Sequence, residues 1–405
     1  MKLIPAILAA ALTLAACSAR DSSSRQGGDI DAVMGDYQAD IKEIQETKYT
    51  NLDLSKAVFV QPEFVSLHTI RVSSLDGDDI LSAQEMYDNV QKWSALLFDD
   101  YDKENIEIRI RSNMDDEDPK ASENMELIRT DKGDVCYVMY RDRQHNRYLW
   151  QDMWNRYPHW INCGKALEAE GVTEWVAGGQ LPSDTDRESG RTYYTNDRAS
   201  EKHRLCSGEV TVGEAVSYLE KGYLSYLGYA HDERFTFKVN EVSLRELKDK
   251  SSAYILYFTP AWDGLPFDSS EEMSMPGGDT DRFGVHGEAL VTDKNEIDVA
   301  VGLQIYNVEE LGNIDTLIPL SDAFGKVSRE LTDQVVFDVL SAQLVYSGRQ
   351  MQPQELAAEL SPFWKLTLFN PNDLHYYVCY VDAQSGEFSY FYYLSEQGEA
   401  EAGAE

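Results

Sequence analysis

The chain has 405 residues, 42% of them hydrophobic and 11% aromatic, enough to build more than one core. Its 71 acidic residues against 36 basic leave a formal charge of −35, which argues against nucleic acid and against adhesion to anionic lipid as partners. Acidity of this size keeps a crowded surface protein soluble.

The chain opens with Met1-Lys2, an apolar run from Leu3 to Leu14, and then Leu14-Ala15-Ala16-Cys17. A basic start, a short apolar core and small residues before a cut form a secretory leader. The run is too short to span a bilayer, which takes about 20 residues. Leu-Ala-Ala-Cys resembles the bacterial lipobox, which implies acylation of Cys17 and anchoring on the extracytoplasmic face of the cell membrane. Residues 1–17 are therefore read as signal peptide, and 18–36, opening with a Ser/Gly-rich polar stretch, as a flexible tether.

Residues 37–207 read as an N-terminal α+β region. Ser82 and Glu85 form a capping-box pattern ahead of Met86, Val90, Trp93, Leu96 and Leu97 at helical spacing. Asn105 to Arg111 alternates as a half-buried strand, and Met125 to Tyr140 reads as a hairpin turning at Asp131-Lys132-Gly133. A second unit, 208–312, opens with the Thr211/Glu214 capping box and a stripe of Ala215, Val216, Leu219, Tyr223 and Leu227. The strand-like runs Phe235–Val239, Ala253–Phe258 and a hairpin between His286 and Tyr306 follow. The third, 313–394, repeats the pattern from Leu320-Ser321-Asp322-Ala323-Phe324, with strands at 335–346, 363–369 and 376–382 and a closing strand from Glu387 to Tyr393. An acidic tail, 395–405, ends the chain. Each helix is amphipathic and each strand set needs one face covered. The fold class is therefore α+β, built from repeated helix-on-antiparallel-sheet units.

Leu320-Ser321-Asp322-Ala323 at a helix start and Tyr380-Val381-Asp382-Ala383-Gln384-Ser385-Gly386-Glu387 in the last hairpin resemble a PepSY domain, a cystatin-like helix-on-sheet module. Ser385 stands where that family usually has Thr. Trp262-Asp263-Gly264-Leu265-Pro266-Phe267 is similar to a strand end of metallopeptidase propeptides that carry PepSY-like folds. With the leader, the chain also resembles uncharacterised lipoproteins of Firmicutes that combine such repeats. In the hairpin, Asp382 can cap the turn and Gly386 can take positive φ, so those residues shape structure and do no chemistry. The resemblance implies binding or restraint of a partner, a peptidase or a membrane-associated sensor.

Cys136, Cys163, Cys206 and Cys379 allow two disulfides in an exported protein, with three connectivities open. His159 before Cys163 and His203 before Cys206 have zinc-like proximity, but paired Cys-x-x-Cys spacing is absent. The acidic clusters Asp76-Gly77-Asp78-Asp79 and Asp115-Asp116-Glu117-Asp118 do not continue into an EF-hand ligand series. The expectation is no cofactor and no metal.

The stretch from Tyr140 to Trp160 concentrates Arg141, Arg143, Arg147 and Arg156 beside Trp150, Trp154, Tyr157 and Trp160 in an acidic chain. Arg and aromatics are enriched at interface hot spots. Arg147, Trp150, Trp154, Arg156 and Trp160 are thus a candidate surface for an envelope protein or a cell-wall glycan. The competing reading is a helical core stripe, since Trp150 and Trp154 are spaced i, i+4. No nucleophile elbow, metallopeptidase helix, phosphate loop or Ser-x-x-Lys motif occurs. The expected role is non-enzymatic binding or regulation at the envelope, with glycan binding next and an exported hydrolase last.

Overall fold

The computed structural model of the chain describes residues 27–73, 88, 90–92, 94–95, 101–113, 116–117, 135–142, 147–154, 159–165, 191–205, 208–224, 232–246, 252–268, 287–294, 296–348 and 357–394. In chain order the main elements are α1 (Tyr37–Glu46), β1 (His68–Ser73), β2 (Ile106–Asn113), β3 (Val135–Asp142), β4 (Arg147–Trp154) and β5 (His159–Lys165). Then come α2 (Val212–Ser217), β6 (Phe235–Glu246), β7 (Ser252–Trp262), β8 (Gly287–Asp293), β9 (Glu296–Ile305) and β10 (Asn307–Asn313). The last are α3 (Leu320–Glu330), β11 (Phe337–Ser347), β12 (Ala357–Asn370), β13 (His375–Asp382) and β14 (Phe388–Leu394).

Three antiparallel meanders organise these strands: β2-β3-β4-β5, β6-β7-β8-β9 and β11-β12-β13-β14. Helical residues precede each. Before the first, 88, 90–92, 94 and 95 are helical, with Val90 and Ser94 fully buried. The Ser82/Glu85 capping pattern and the Met125–Thr130 half of the expected hairpin lie outside the described residues. Before the second, the Thr211 side chain accepts from Glu214 N at 3.0 Å while the Glu214 carboxylate accepts from Thr211 N at 2.9 Å, so the capping box forms as read. The helix is shorter than its stripe implied, since after Ser217 the chain widens into a π-helical turn, Tyr218–Leu224. Before the third, α3 buries Leu320, Ala323, Phe324 and Val327, an i, i+3, i+4, i+7 face, under the sheet it covers. The fold is α+β with repeated helix-on-antiparallel-sheet units, as the sequence indicates.

The first two meanders fuse into one 11-stranded sheet through their fourth strands, β5 and β9, paired antiparallel with Ile305 opposite His159 and Ala300 opposite Cys163. The third lies in a separate eight-stranded sheet. There the 14-residue β12 serves two neighbours on one side: its first four residues pair with β1, and later ones with β13. Beyond β1 lies β10.

The N-terminal segment departs from expectation. Within the expected tether, 18–36, Gly28–Asp29 pairs with Thr316–Leu317 and a short helix, Ile30–Gly35, follows. Residues 37–73 do not join the first meander. Leu52–Asp53 and Val58–Phe59 run parallel along β11, and the Asn51 side chain donates to Ser328 O at 2.9 Å at the end of α3. Tyr37 of α1 stacks on Trp364 at 6.2 Å and donates to Val60 O at 2.9 Å. Buried Tyr37 and Ile44 lie a helical two turns apart and seat α1 beside α3. The structural unit at the C-terminus is therefore completed by residues from the start of the chain, a pairing that no local pattern announces.

Candidate functional site

The two sheets meet at the motif Trp262-Asp263-Gly264-Leu265-Pro266-Phe267. Asp263 (φ 49°) and Gly264 (φ 91°) both take positive φ, the conformation of a two-residue hairpin loop with an Asp-Gly pair. Leu265 and Pro266 pair back on Trp262 and Ala261. The chain then crosses to the second sheet, where Phe267 bridges Tyr346 in parallel and Asp268 N donates to Tyr346 O at 2.8 Å. Phe267 packs its ring within 6.0–6.2 Å of Phe235, Tyr306 and Tyr346, all fully buried.

Around this turn four polar side chains from distant parts of the chain converge. His68 begins β1, Ser66 lies two residues before it, Asp263 is the turn residue, and Glu310 sits where β10 bulges. Ser66 Oγ lies 2.8 Å from His68 Nε2 and donates to Asp263 Oδ2 at 2.5 Å. His68 Nε2 is 3.7 Å from Asp263 Oδ2 and 3.5 Å from Glu310 Oε1. The main chain clamps the group: Val65 N donates to Asp263 O at 2.8 Å, and Asp263 N donates to Arg234 O at 3.0 Å. His68 N is bonded to the Tyr346 hydroxyl at 3.2 Å, and burial pushes that hydroxyl's pKa up.

A serine, a histidine and an aspartate in contact invite comparison with a catalytic triad, and the geometry does not make one. A relay needs the carboxylate on the ring nitrogen opposite the serine. Here Asp263 and Ser66 crowd the same nitrogen, Nε2, while His68 Nδ1 is buried without a hydrogen-bond partner. The same four groups offer one nitrogen and several oxygens, and the His68, Asp263 and Glu310 ligand atoms lie within 4.8 Å of one another. That spacing suits a small divalent ion. Arg234 already engages one of these carboxylates, however. Its guanidinium forks onto Asp232 at 2.9 and 3.1 Å, reaches Glu310 Oε1 at 2.5 Å and lies 4.4 Å over the Trp262 ring. Trp262 Nε1 donates to the same Glu310 oxygen at 3.3 Å. The cluster ties the two sheets together through one guanidinium and the carboxylates of Asp232, Asp263 and Glu310, and hydrogen bonding to Arg234 holds the Asp232 carboxyl below its ordinary pKa.

Ser66 and His68 also line an open cleft of about 790 Å³ between residues 29–34, 62–68 and 313–315. Among the described residues its lining carries the carboxylates of Asp29, Asp31, Glu63 and Asp315 and no Lys or Arg. Apolar surface comes from Ile30, Met34, Phe64 and Val65, and Val65 is 88% exposed. None of these residues was singled out by sequence. The Trp262–Phe267 motif was the only local signal near them.

No protein-family profile and no curated protein matches the chain. Among solved structures, an uncharacterized protein from Eubacterium rectale covers 89% of this chain and 99% of its own, at TM-score 0.50 and 13% identity. The likeness is one of fold. The YpeB C-terminal domain of Bacillus megaterium aligns over 80% of this chain and 100% of its own, at TM-score 0.31 and 11% identity.

The sites expected from sequence fare differently. Cys17, Arg156 and Cys206 lie outside the described residues. Arg147, Trp150 and Trp154 fall on β4 and Trp160 on β5, so the i, i+4 spacing of the tryptophans belongs to a strand and not to a helical stripe. With Asp152 opposite Trp160, the register places positions 150, 154 and 160 on one side of the sheet.

The disulfide expectation is narrowed. Cys136 of β3 pairs with Met153 and Cys163 of β5 with Leu149, so β4 separates them. Two strand spacings are about 9.6 Å, beyond the roughly 7 Å reach of a disulfide between Cα atoms. Cys379 is a free, fully buried thiol on β13. Among the described residues no helix is long and apolar enough to cross a membrane.

Proposed function

We propose that this protein is a membrane-anchored extracytoplasmic lipoprotein of PepSY-like build, acting as a non-enzymatic binding or regulatory module at the cell envelope. The lipobox at Cys17 supports the anchor, and the capped hairpin at Asp382 to Gly386 supports the PepSY likeness.

One observation carries the binding reading: the cleft formed by residues 29–34, 62–68 and 313–315 presents four carboxylates and apolar side chains, with no Lys or Arg among the described residues that line it. Such a lining complements a peptide segment that carries Lys or Arg beside an apolar side chain. Its partner is then a protein with an exposed basic and apolar segment, and lipid attachment would hold the cleft close to the membrane surface.

Titrating fluorescent peptides against the full chain tests this. Basic-apolar peptides should bind, lose affinity with salt, and lose it again in Glu63→Lys with Asp315→Lys. Equal binding of acidic peptides, or binding untouched by both substitutions, overturns it.

The runner-up is a glycan on the β4–β5 face, favoured by the register that puts positions 150, 154 and 160 on one side. Retention on cell-wall glycan that is lost in Trp154→Ala would favour it over the cleft.

A further inference from the structure

The three meanders treat their fourth strands unequally. In the first two, β5 and β9 cover one another, pairing antiparallel along their outer edges. In the third, β14 occupies the same place and pairs only with β13 among the described residues. Each first strand has a short segment along its outer edge: Arg191–Tyr193 on β6, Asp116–Glu117 on β2, and the parallel segments Leu52–Asp53 and Val58–Phe59 on β11.

An open edge strand is a template for another strand, and proteins blunt such edges with charges, bulges or short length. Another long edge, β10, is blunted in two of these ways. It reads Asn-Val-Glu-Glu-Leu-Gly-Asn, exposes Glu309 and Glu310, and bulges between Glu310 and Gly312. Strand β14 reads Phe-Ser-Tyr-Phe-Tyr-Tyr-Leu: seven residues with no charge, no proline, no glycine and an unbroken register along β13. Tyr390 is 47% and Tyr392 58% exposed. Their rings join Phe388 and Tyr377 in a stacked ladder, with centroids 5.4 to 6.1 Å apart. In a chain of charge −35, this strand carries no charged side chain of its own to repel a second copy.

We infer that β14 is a self-association edge: two copies of the chain pair antiparallel through β14, extending the second sheet as β5 and β9 extend the first. The occupant is a second copy because the chain itself joins two such meanders fourth strand to fourth strand. A two-fold axis through the middle of β14 repeats that junction between molecules. The ladder of Phe388, Tyr390 and Tyr392 then runs on across the axis, adding aromatic cross-strand pairs to the main-chain bonds.

Light scattering of the full chain in mild detergent, over a range of concentrations, reads the mass. Hydrogen exchange reads the amides of 388–394 at high and low concentration. A dimer that dissociates on dilution, with β14 amides that lose protection as it does, is the expected result. Tyr390→Lys with Tyr392→Lys should weaken association by about tenfold or more, as like charges face each other across the axis. Both positions are exposed, so an unchanged circular dichroism spectrum certifies the fold. Three results overturn the inference: a monomer at every concentration, a dimer indifferent to the two lysines, or β14 protection that does not change on dilution. The last means the edge is covered by the chain's own residues.

Discussion

Lys365 of β12 and Asp268, just past the Asp263-Gly264 turn, meet at 2.6 Å with side chains 10% and 0% exposed. Asp268 also accepts from the Tyr380 hydroxyl at 2.6 Å and from Ser347 Oγ at 3.3 Å. The carboxylate thus holds three groups of the second sheet to the connection arriving from the first.

A buried ion pair gains little over well-packed apolar residues, but removing one partner strands the other charge in a poor dielectric. Asp268→Ala should therefore lower stability by about 3–5 kcal/mol. Chemical denaturation should show a lower midpoint with unchanged slope. Asp268→Leu with Lys365→Met should cost less than the single substitution. If the single change is near neutral, the pair is not a fastener between the sheets.

The turn itself makes a separate prediction. Gly264 sits at φ 91°, and a Cβ built there falls 2.9 Å from Glu63 O. Conformation and space both exclude a side chain, so Gly264→Ala should destabilise the protein by about 1–3 kcal/mol. Because Glu63 and Phe64 border the cleft, the same change should also weaken peptide binding there. Thermal unfolding and the peptide titration read the two effects independently.

The local parts of this fold were legible in the sequence, and the long-range parts were not. Thr211 and Glu214 lie close in the chain, and their reciprocal hydrogen bonds could be read from spacing. So could the last turn, where Asp382 Oδ1 accepts from Gln384 N and Ser385 N and Gly386 takes φ 71°. His68, Asp263 and Glu310, by contrast, meet only because β1 is inserted between β10 and β12. Strand pairing across more than two hundred residues leaves no periodicity. Trp150 and Trp154 illustrate the opposite hazard. Even spacing by four keeps two residues on one face of a helix and on one face of a strand alike, so the spacing could not decide between them.

Cys379 offers a chemical check on the packing of the second sheet. It is fully buried, opposite Leu366 and Tyr390 on the flanking strands, and desolvation raises its thiol pKa. The thiolate is the reactive form, so both burial and protonation protect it. Site-resolved mass spectrometry should find Cys379 unmodified by an alkylating reagent in the native protein and fully modified in denaturant. Rapid native labelling, or its recovery in a disulfide, would show that this sheet opens or packs differently.

Glu220 predicts how stability follows pH. It lies in the π-helical turn, accepts from Val239 N at 2.8 Å and sits 3.9 Å from Lys238. Burial raises its pKa above the ordinary 4.5, against the opposing pull of Lys238 and the Val239 amide. The folded state therefore holds this proton more tightly than the unfolded chain does. Its contribution to stability is fully present below the ordinary value and is lost as pH climbs through the raised one. Glu220→Gln keeps an oxygen for the Val239 amide and cannot ionise. The variant should match the wild type in acid and become the more stable of the two as pH rises, reaching a constant advantage above the raised pKa. Unfolding curves of both proteins from about pH 4 to about pH 8 measure this difference across the titration range. A difference that stays flat, or that favours the wild type at high pH, would show that Lys238 outweighs desolvation at this carboxylate.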